Sequence, residues 1–150
     1  MQVNQLTIKD LSLKEKIAQL FLIGFHGNEC SEGSEISKLL SNIKPGGVIL
    51  FDKDMVFNKP VHNIKSPEQL KKLTAQLQEV SEIPLLIGID QEGGLINRLK
   101  PEYGFPKTKS HHELGQINNP EVTLEEGLLI SEVLHQHGIN INFAPCVDLA

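Results

Sequence analysis

Two carboxylate residues follow an apolar run in the middle of the chain. Asp90 and Glu92 come directly after apolar residues 85–89, and a pair of glycines follows them. If the strand continues, side chains at positions i and i+2 face the same side, and the glycines allow a sharp turn or a close approach to a ligand. Arg98 would bring a planar guanidinium donor to the same place. The spacing alone leaves two interpretations open: a site for a polar ligand, or a solvated turn that ends a strand.

A further acidic candidate lies near residue 150. Asp148 follows the apolar segment over residues 139–143, so we expect it to share one rim with Asp90. An aspartate at such a place also serves as a turn residue or a helix cap, and that interpretation stays open. Cys146 has no basic residue close to it in sequence, which favours a small buried side chain over a nucleophile.

Metal and nucleotide sites are poorly supported by the sequence. His111, His112 and Glu113 are adjacent, but adjacent residues seldom point to one centre, and no third ligand follows at a suitable spacing. A metal-dependent hydrolase built on these three residues is therefore the weakest alternative. The chain contains neither a G-x-G-x-x-G nor a G-K-[ST] segment, which disfavours a dinucleotide-binding or phosphate-loop enzyme. These observations disfavour a metal site and a bound nucleotide.

The helices are indicated by start signals and apolar spacing. Ser12 and Glu15 form a capping box, and Ser66 followed by Pro67 is typical of a helix start. Apolar residues at helical spacing predict four helices, which begin near residues 13, 36, 67 and 123. The connection over residues 91–122 has no strong periodic pattern, and loops of that length in compact domains are usually functional or disordered.

Apolar runs between these helices predict the strands. They lie at residues 48–51, 85–89 and 139–143, while residues 20–25 either end the first helix or form a strand. Alternation of strands and amphipathic helices implies parallel strands joined by right-handed crossovers. The sequence therefore predicts an α/β fold of parallel (β/α) units.

Length and charge limit the function further. A chain of 150 residues is too short for a complete eight-stranded (β/α) barrel, which needs about 250. A net charge of −5 without a Lys/Arg cluster argues against nucleic acid as a partner, and no apolar run is long enough to span a membrane. With only two cysteines and no basic region followed by an apolar one at the N-terminus, we expect a cytoplasmic protein.

Together these segments resemble the N-terminal domain of glycoside hydrolase family 3, in its bacterial β-N-acetylglucosaminidase branch. The resemblance rests on four stretches in the family's order, over residues 13–21, 46–51, 90–98 and 138–148. The D-Q-E-G-G segment and the F-A-P-x-x-D ending are its most specific parts. Leu95 stands where the family commonly has an arginine.

The resemblance implies retaining hydrolysis of terminal β-linked N-acetylglucosamine, as in the recycling of cell-wall muropeptides, without a cofactor. It implies that Asp90 accepts hydrogen bonds from sugar hydroxyls, that Arg98 helps to hold the sugar and that Asp148 shapes the rim of the pocket. The family's acid/base loop and its nucleophile fall beyond residue 150. Residues 1–150 are therefore expected to form the N-terminal half of a TIM barrel, an incomplete (β/α)8 domain that is inactive alone.

Two alternatives from another class stay open. One is a non-catalytic sugar-binding remnant, and the other is a subunit completed by a second chain. Half a barrel has two open strand edges, and exposed edges invite pairing with another chain. Self-association, or complementation by a separate C-terminal half, is the expected consequence.

Overall fold

The computed structural model describes residues 8–53 and 62–147 of the chain. Helices and strands alternate along it. The helices are α1 (Leu13–Ala18), α2 (Glu35–Ile43), α3 (Pro67–Val80), α4 (His111–Ile117) and α5 (Pro120–Gln136), with a short 3₁₀ helix at Pro101–Tyr103. The strands are β1 (Leu22–Ile23), β2 (Gly47–Leu50), β3 (Leu86–Ile89) and β4 (Ile141–Asn142). No helix in these two ranges is both long and apolar enough to cross a membrane.

The four strands form one parallel sheet in the order β1-β2-β3-β4. Val48 of β2 lies opposite both Ile23 of β1 and Ile87 of β3, and Ile89 of β3 lies opposite Asn142. The predicted α/β fold of parallel (β/α) units is confirmed. Residues 20–25, which the sequence left open, contain β1 after the end of α1.

One face of the two central strands is fully buried, whereas Leu86 on the opposite face of β3 is 47% exposed. Val48 and Leu50 of β2 and Ile87 and Ile89 of β3 are all fully buried in the hydrophobic core. Such continuous apolar strands are typical of parallel sheets that helices cover. Helix α3 supplies much of that cover, because its apolar stripe of Leu70, Leu73 and Leu77 lies in the same core.

Helix starts follow local capping. The Ser66 hydroxyl accepts a hydrogen bond from Gln69 N at the start of α3, as predicted. Helix α5 begins three residues earlier than residue 123, because the Asn119 side chain accepts from Glu121 N and Pro120 occupies the first turn. The connection over residues 91–122 contains α4, which the Ser110–Glu113 capping box starts. The sequence showed no strong periodic pattern in this connection, because a seven-residue helix is too short to produce one.

The helices beside the two edge strands have exposed apolar side chains. Leu13 of α1 is 73% exposed, and Phe21, just before β1, is also exposed. On α5, which precedes β4, Leu124 and Leu128 are exposed as well. Amphipathic spacing alone predicts burial of such positions. The helices beside the two edge strands therefore differ from α3, whose apolar stripe is buried in the core.

Candidate functional site

The carboxyl ends of β2 and β3 place two aspartates next to each other. Leu50 lies opposite Ile89 in the register, and the chain continues to Asp52 after β2 and to Asp90 after β3. Because parallel strands all end at one edge of the sheet, these two carboxylates emerge on the same rim. Asp52 is 2% exposed, whereas the Asp90 side chain is 28% exposed.

Arg98 lies between the two aspartates. Its Nη1 is 3.3 Å from Asp52 Oδ1, and its Nη2 is 3.3 Å from Asp90 Oδ2. Lys100 Nζ donates to the other Asp52 oxygen at 2.6 Å. The hydrogen bond from this ammonium to Asp52 raises the pKa of Lys100. Two carboxylates and two cations thus form a rim cluster (Asp52, Asp90, Arg98 and Lys100) whose formal charges cancel.

Gln91 fixes the backbone that carries Arg98. Its Oε1 accepts hydrogen bonds from Arg98 N at 2.9 Å and from Leu99 N at 3.0 Å. Its Nε2 donates to Asn97 Oδ1 at 2.7 Å, and its backbone is paired with the Asn142 side chain of β4. The buried Gln91 therefore ties the end of β3 to residues 97–99 through its side chain and to β4 through its backbone.

The glycines after Glu92 let that segment pack closely. Gly93 and Gly94 have φ angles of +79° and +60°, a region that L side chains rarely adopt. A Cβ at Gly93 would overlap the carbonyl oxygen of Lys109. Helix α5 in turn holds Lys109, because its buried Glu126 carboxylate accepts from Lys109 N at 2.7 Å and from Lys109 Nζ at 3.0 Å.

Asp90 and Glu92 do not share a partner. Asp90 contacts Arg98, whereas Glu92 Oε2 accepts from Cys146 N at 3.1 Å and lies 3.4 Å from His111 Nε2. The i and i+2 spacing therefore does not make these two carboxylates bind a common partner here.

Aromatic rings border the rim cluster on the β1 and β2 side. The Arg98 guanidinium lies 5.6 Å from the centre of the Phe51 ring, and His62 stacks against Phe51 with the ring centres 6.3 Å apart. The buried Asn63 side chain holds this corner, since it accepts from Phe51 N and donates to the carbonyls of Phe25 and Gly27.

The remaining predicted residues have different outcomes. Asp148 lies outside the described residues. Cys146 is exposed, so the prediction of a buried thiol is wrong; it lies past β4, beyond the apolar core. Glu113 caps α4, and the Ser110 hydrogen bonds lower its pKa. Within residues 8–53 and 62–147, no group of three His, Cys, Asp or Glu side chains is arranged to hold a metal ion.

Asp52 is the site residue that the sequence reasoning missed. It follows the apolar run at residues 48–51 in the same way that Asp90 follows residues 85–89. That shared pattern was the available signal. Local sequence patterns could not predict its partners, because Arg98 and Lys100 lie 46 and 48 positions further along the chain.

Comparison with known proteins gives a consistent pattern. The model of the glycosyl hydrolase family 3 N-terminal domain matches residues 12–150. A β-hexosaminidase of Thiobacillus denitrificans is 34% identical over 116 residues, which are 73% of this chain and 29% of the relative. The chain thus spans less than a third of that curated relative.

Solved structures of similar enzymes also match the chain. The family 3 β-N-acetylglucosaminidase of a Paenibacillus species matches 90% of the chain with a TM-score of 0.78 and 37% identity, over 24% of its own length. NagZ of Neisseria gonorrhoeae, solved with N-trifluoroacetyl-D-glucosamine, matches 85% of the chain with a TM-score of 0.65 and 28% identity, over 36% of its own length.

Proposed function

The chain belongs to glycoside hydrolase family 3, and from that premise we propose that its rim binds a terminal N-acetylglucosamine unit of a carbohydrate. The observation that supports the proposal most directly is the placement of Arg98 between Asp52 and Asp90 at the carboxyl ends of β2 and β3. In (β/α) barrels, ligands bind at that end of the strands.

Asp90 and Arg98 have separate roles in this proposal. Asp90 uses Oδ2 for Arg98, and its Oδ1 has no hydrogen-bond partner within the described residues, so that oxygen is available to sugar hydroxyls. Arg98 presents donors in a rigid plane. Asp148, outside the described residues, is proposed to border the same pocket. Contacts that fix the sugar ring in this way lower the reaction barrier by several kcal/mol.

The proposed reaction of the parent enzyme is retaining hydrolysis of β-linked N-acetylglucosamine. Such hydrolysis needs a nucleophile and an acid/base carboxyl group on opposite sides of the scissile bond. The described rim carboxylates have other roles in this proposal. Asp52 is buried against Arg98 and Lys100, Asp90 binds the sugar through Oδ1, and Glu92 contacts Cys146 N and His111. We therefore propose that residues 1–150, as the N-terminal part of a (β/α)8 domain, bind sugar weakly and do not hydrolyse it alone.

The activity test uses a nitrophenyl N-acetylglucosaminide with the purified chain. We expect no release of nitrophenol above the rate of a mock purification from the same host. Steady release that disappears in Asp90→Asn would contradict the proposed inactivity while supporting the site. Steady release that persists in Asp90→Asn points to a contaminant.

The proposed setting is the recycling of cell-wall muropeptides in the cytoplasm, with no metal or organic cofactor. The N-acetylglucosamine analogue bound to NagZ of Neisseria gonorrhoeae supports this substrate class. The corresponding test adds purified muropeptides to the chain. Protection of the rim from hydrogen exchange by N-acetylglucosamine-containing fragments, and not by fragments that lack this sugar, is the expected result.

A second candidate function is a non-catalytic sugar-binding module or a subunit completed by another chain. The observation that favours it is the exposed apolar surface beside β1 and β4, which includes Leu13, Phe21, Leu124 and Leu128. Either a second copy or a separate C-terminal half would cover the two edges. Light scattering tests self-association: a dimer mass that falls to the monomer mass in Phe21→Asp supports it, and a strictly monomeric wild type contradicts it.

A further inference from the structure

We propose that Asp52 is a positioning residue, which holds the Arg98 guanidinium in place and thereby leaves Asp90 free to accept sugar hydroxyls. The inference rests on the proposed sugar site, because it assigns how that site is kept in its binding geometry. Asp52 itself is too buried to touch a sugar, with 2% of its surface exposed.

Burial makes the two cations obligatory partners of Asp52. An ionised carboxylate away from water is strongly unfavourable unless it is paired and hydrogen-bonded. Each Asp52 oxygen faces a different cation, Oδ1 facing Arg98 and Oδ2 facing Lys100. The buried charge therefore draws both side chains towards the end of β2.

Arg98 is consequently restrained from several directions. Asp52 and Asp90 lie against its two terminal nitrogens, the Phe51 ring lies under the guanidinium, and Gln91 fixes its backbone N–H. Without the Asp52 charge, Asp90 would be the one remaining carboxylate against Arg98 in the rim cluster. Both terminal nitrogens of Arg98 could then pair with Asp90 and occupy the oxygen that otherwise accepts from a sugar.

A purely structural role makes a different prediction. Among the described residues, the shortest contact of the Asp52 carboxylate is the 2.6 Å hydrogen bond from Lys100. If Asp52 only anchors the segment after Arg98 to β2, removing Lys100 should disturb the rim as much as removing the Asp52 charge. If Asp52 positions Arg98 directly, the Lys100 side chain is dispensable for Arg98.

The experiment follows Arg98 itself by NMR of its guanidinium nitrogens, together with N-acetylglucosamine affinity from a titration. Asp52→Asn keeps the side-chain shape and removes the charge. We expect it to speed rotation of the Arg98 guanidinium at least tenfold and to weaken sugar affinity at least tenfold. In Lys100→Gln we expect the slow rotation of the wild type to persist. In Asp52→Glu we expect the Arg98 guanidinium to rotate more slowly than in Asp52→Asn.

The readouts separate the two proposals. If the wild type does not bind N-acetylglucosamine, the proposed function fails, and the rotation rate still decides the role of Asp52. Unchanged rotation in Asp52→Asn overturns the positioning role, and so does fast rotation in Lys100→Gln. If Asp52→Asn does not fold, the Lys100→Gln measurement decides alone: slow rotation supports positioning, and fast rotation overturns it.

Discussion

Two ion clusters of similar composition lie at opposite ends of the sheet. At the carboxyl ends of the strands, Arg98 bridges Asp52 and Asp90. Before the amino ends of β2 and β3, Lys44 bridges Glu15 at 2.9 Å and Glu82 at 2.6 Å. We call the second group the base cluster. In each, one cation lies between two carboxylates that come from different segments of the chain, and the rim cluster has Lys100 as a second cation.

The two clusters differ in burial and in the shape of the cation. Asp52 is 2% exposed, whereas the Glu82 side chain is 58% exposed. Water screens the contact with Glu82, and the flexible Lys44 ammonium is a point charge that fixes no direction. In the rim cluster a planar guanidinium is held by a buried carboxylate and lies over an aromatic ring. Short distances alone therefore do not identify a site; buried charge and fixed orientation do.

The largest expected effect is at the turn that supports the rim. Gly93→Ala places a Cβ against the carbonyl of Lys109 at a positive φ, so we expect a loss of about 3–5 kcal/mol in the free energy of unfolding. The matched control is Gly127→Ala in α5, where a Cβ meets nothing within 4 Å. It should stabilise by up to about 1 kcal/mol. Urea unfolding measures both, and equal effects would show that the rim turn is not tightly packed.

The next effect compares the two clusters directly. Asp52→Asn leaves two cations short of a buried partner and should cost about 3 kcal/mol of unfolding free energy. Glu82→Gln removes one exposed partner of Lys44 and should cost less than about 0.5 kcal/mol. Urea unfolding at neutral pH measures both losses of unfolding free energy. Similar costs at the two positions would mean that burial does not distinguish the clusters.

The contribution of the base cluster to stability should be visible at acidic pH. Hydrogen bonds from the Ser12 hydroxyl and from Lys44 lower the pKa of Glu15 from 4.5 to about 2. Because the pKa is lower in the folded state, the stabilisation is fully present above pH 4.5 and is lost as the pH falls towards 2. Melting temperatures between pH 6 and pH 2 should therefore fall less steeply in Glu15→Gln. Glu32→Gln, at an exposed position outside the base cluster, is the control, and identical slopes in both variants would refute the assignment.

The smallest effect is expected at Leu95. Its side chain is 98% exposed at the tip of the turn, so Leu95→Arg should change the unfolding free energy by less than about 0.5 kcal/mol in either direction. Thermal unfolding checks this. A larger loss would mean that the leucine is covered in solution, for example by a second copy of the chain.

Local signals in the sequence predicted the framework of the rim. The Ser66-Pro67 start and the apolar run before Asp90 are short-range features, and both describe the structure correctly. The start of α5 was misplaced because Asn119 and Pro120 carry a stronger capping signal than Thr123. The exposure of Leu13 was not predictable from its spacing, since periodicity shows which positions share a helix face and not what covers that face.

The connections within the site were beyond the reach of local patterns. Asp52 meets Arg98 and Lys100 across 46 and 48 positions, and Glu92 meets Cys146 across 54. Only the packing of separate (β/α) units brings these residues together. Parallel order predicted that strand ends share a rim, but it did not predict which carboxylate is buried or which cation it binds.

The most direct test of the sugar site is a titration of the isotope-labelled chain with N-acetylglucosamine, followed by backbone amide NMR. We expect saturable shifts at the amides around Asp90 and Arg98, and we expect Asp90→Asn to abolish them while Glu82→Gln leaves them unchanged. Shifts that do not saturate, or an affinity that Asp90→Asn leaves intact, would contradict the assignment of this rim as the sugar-binding site.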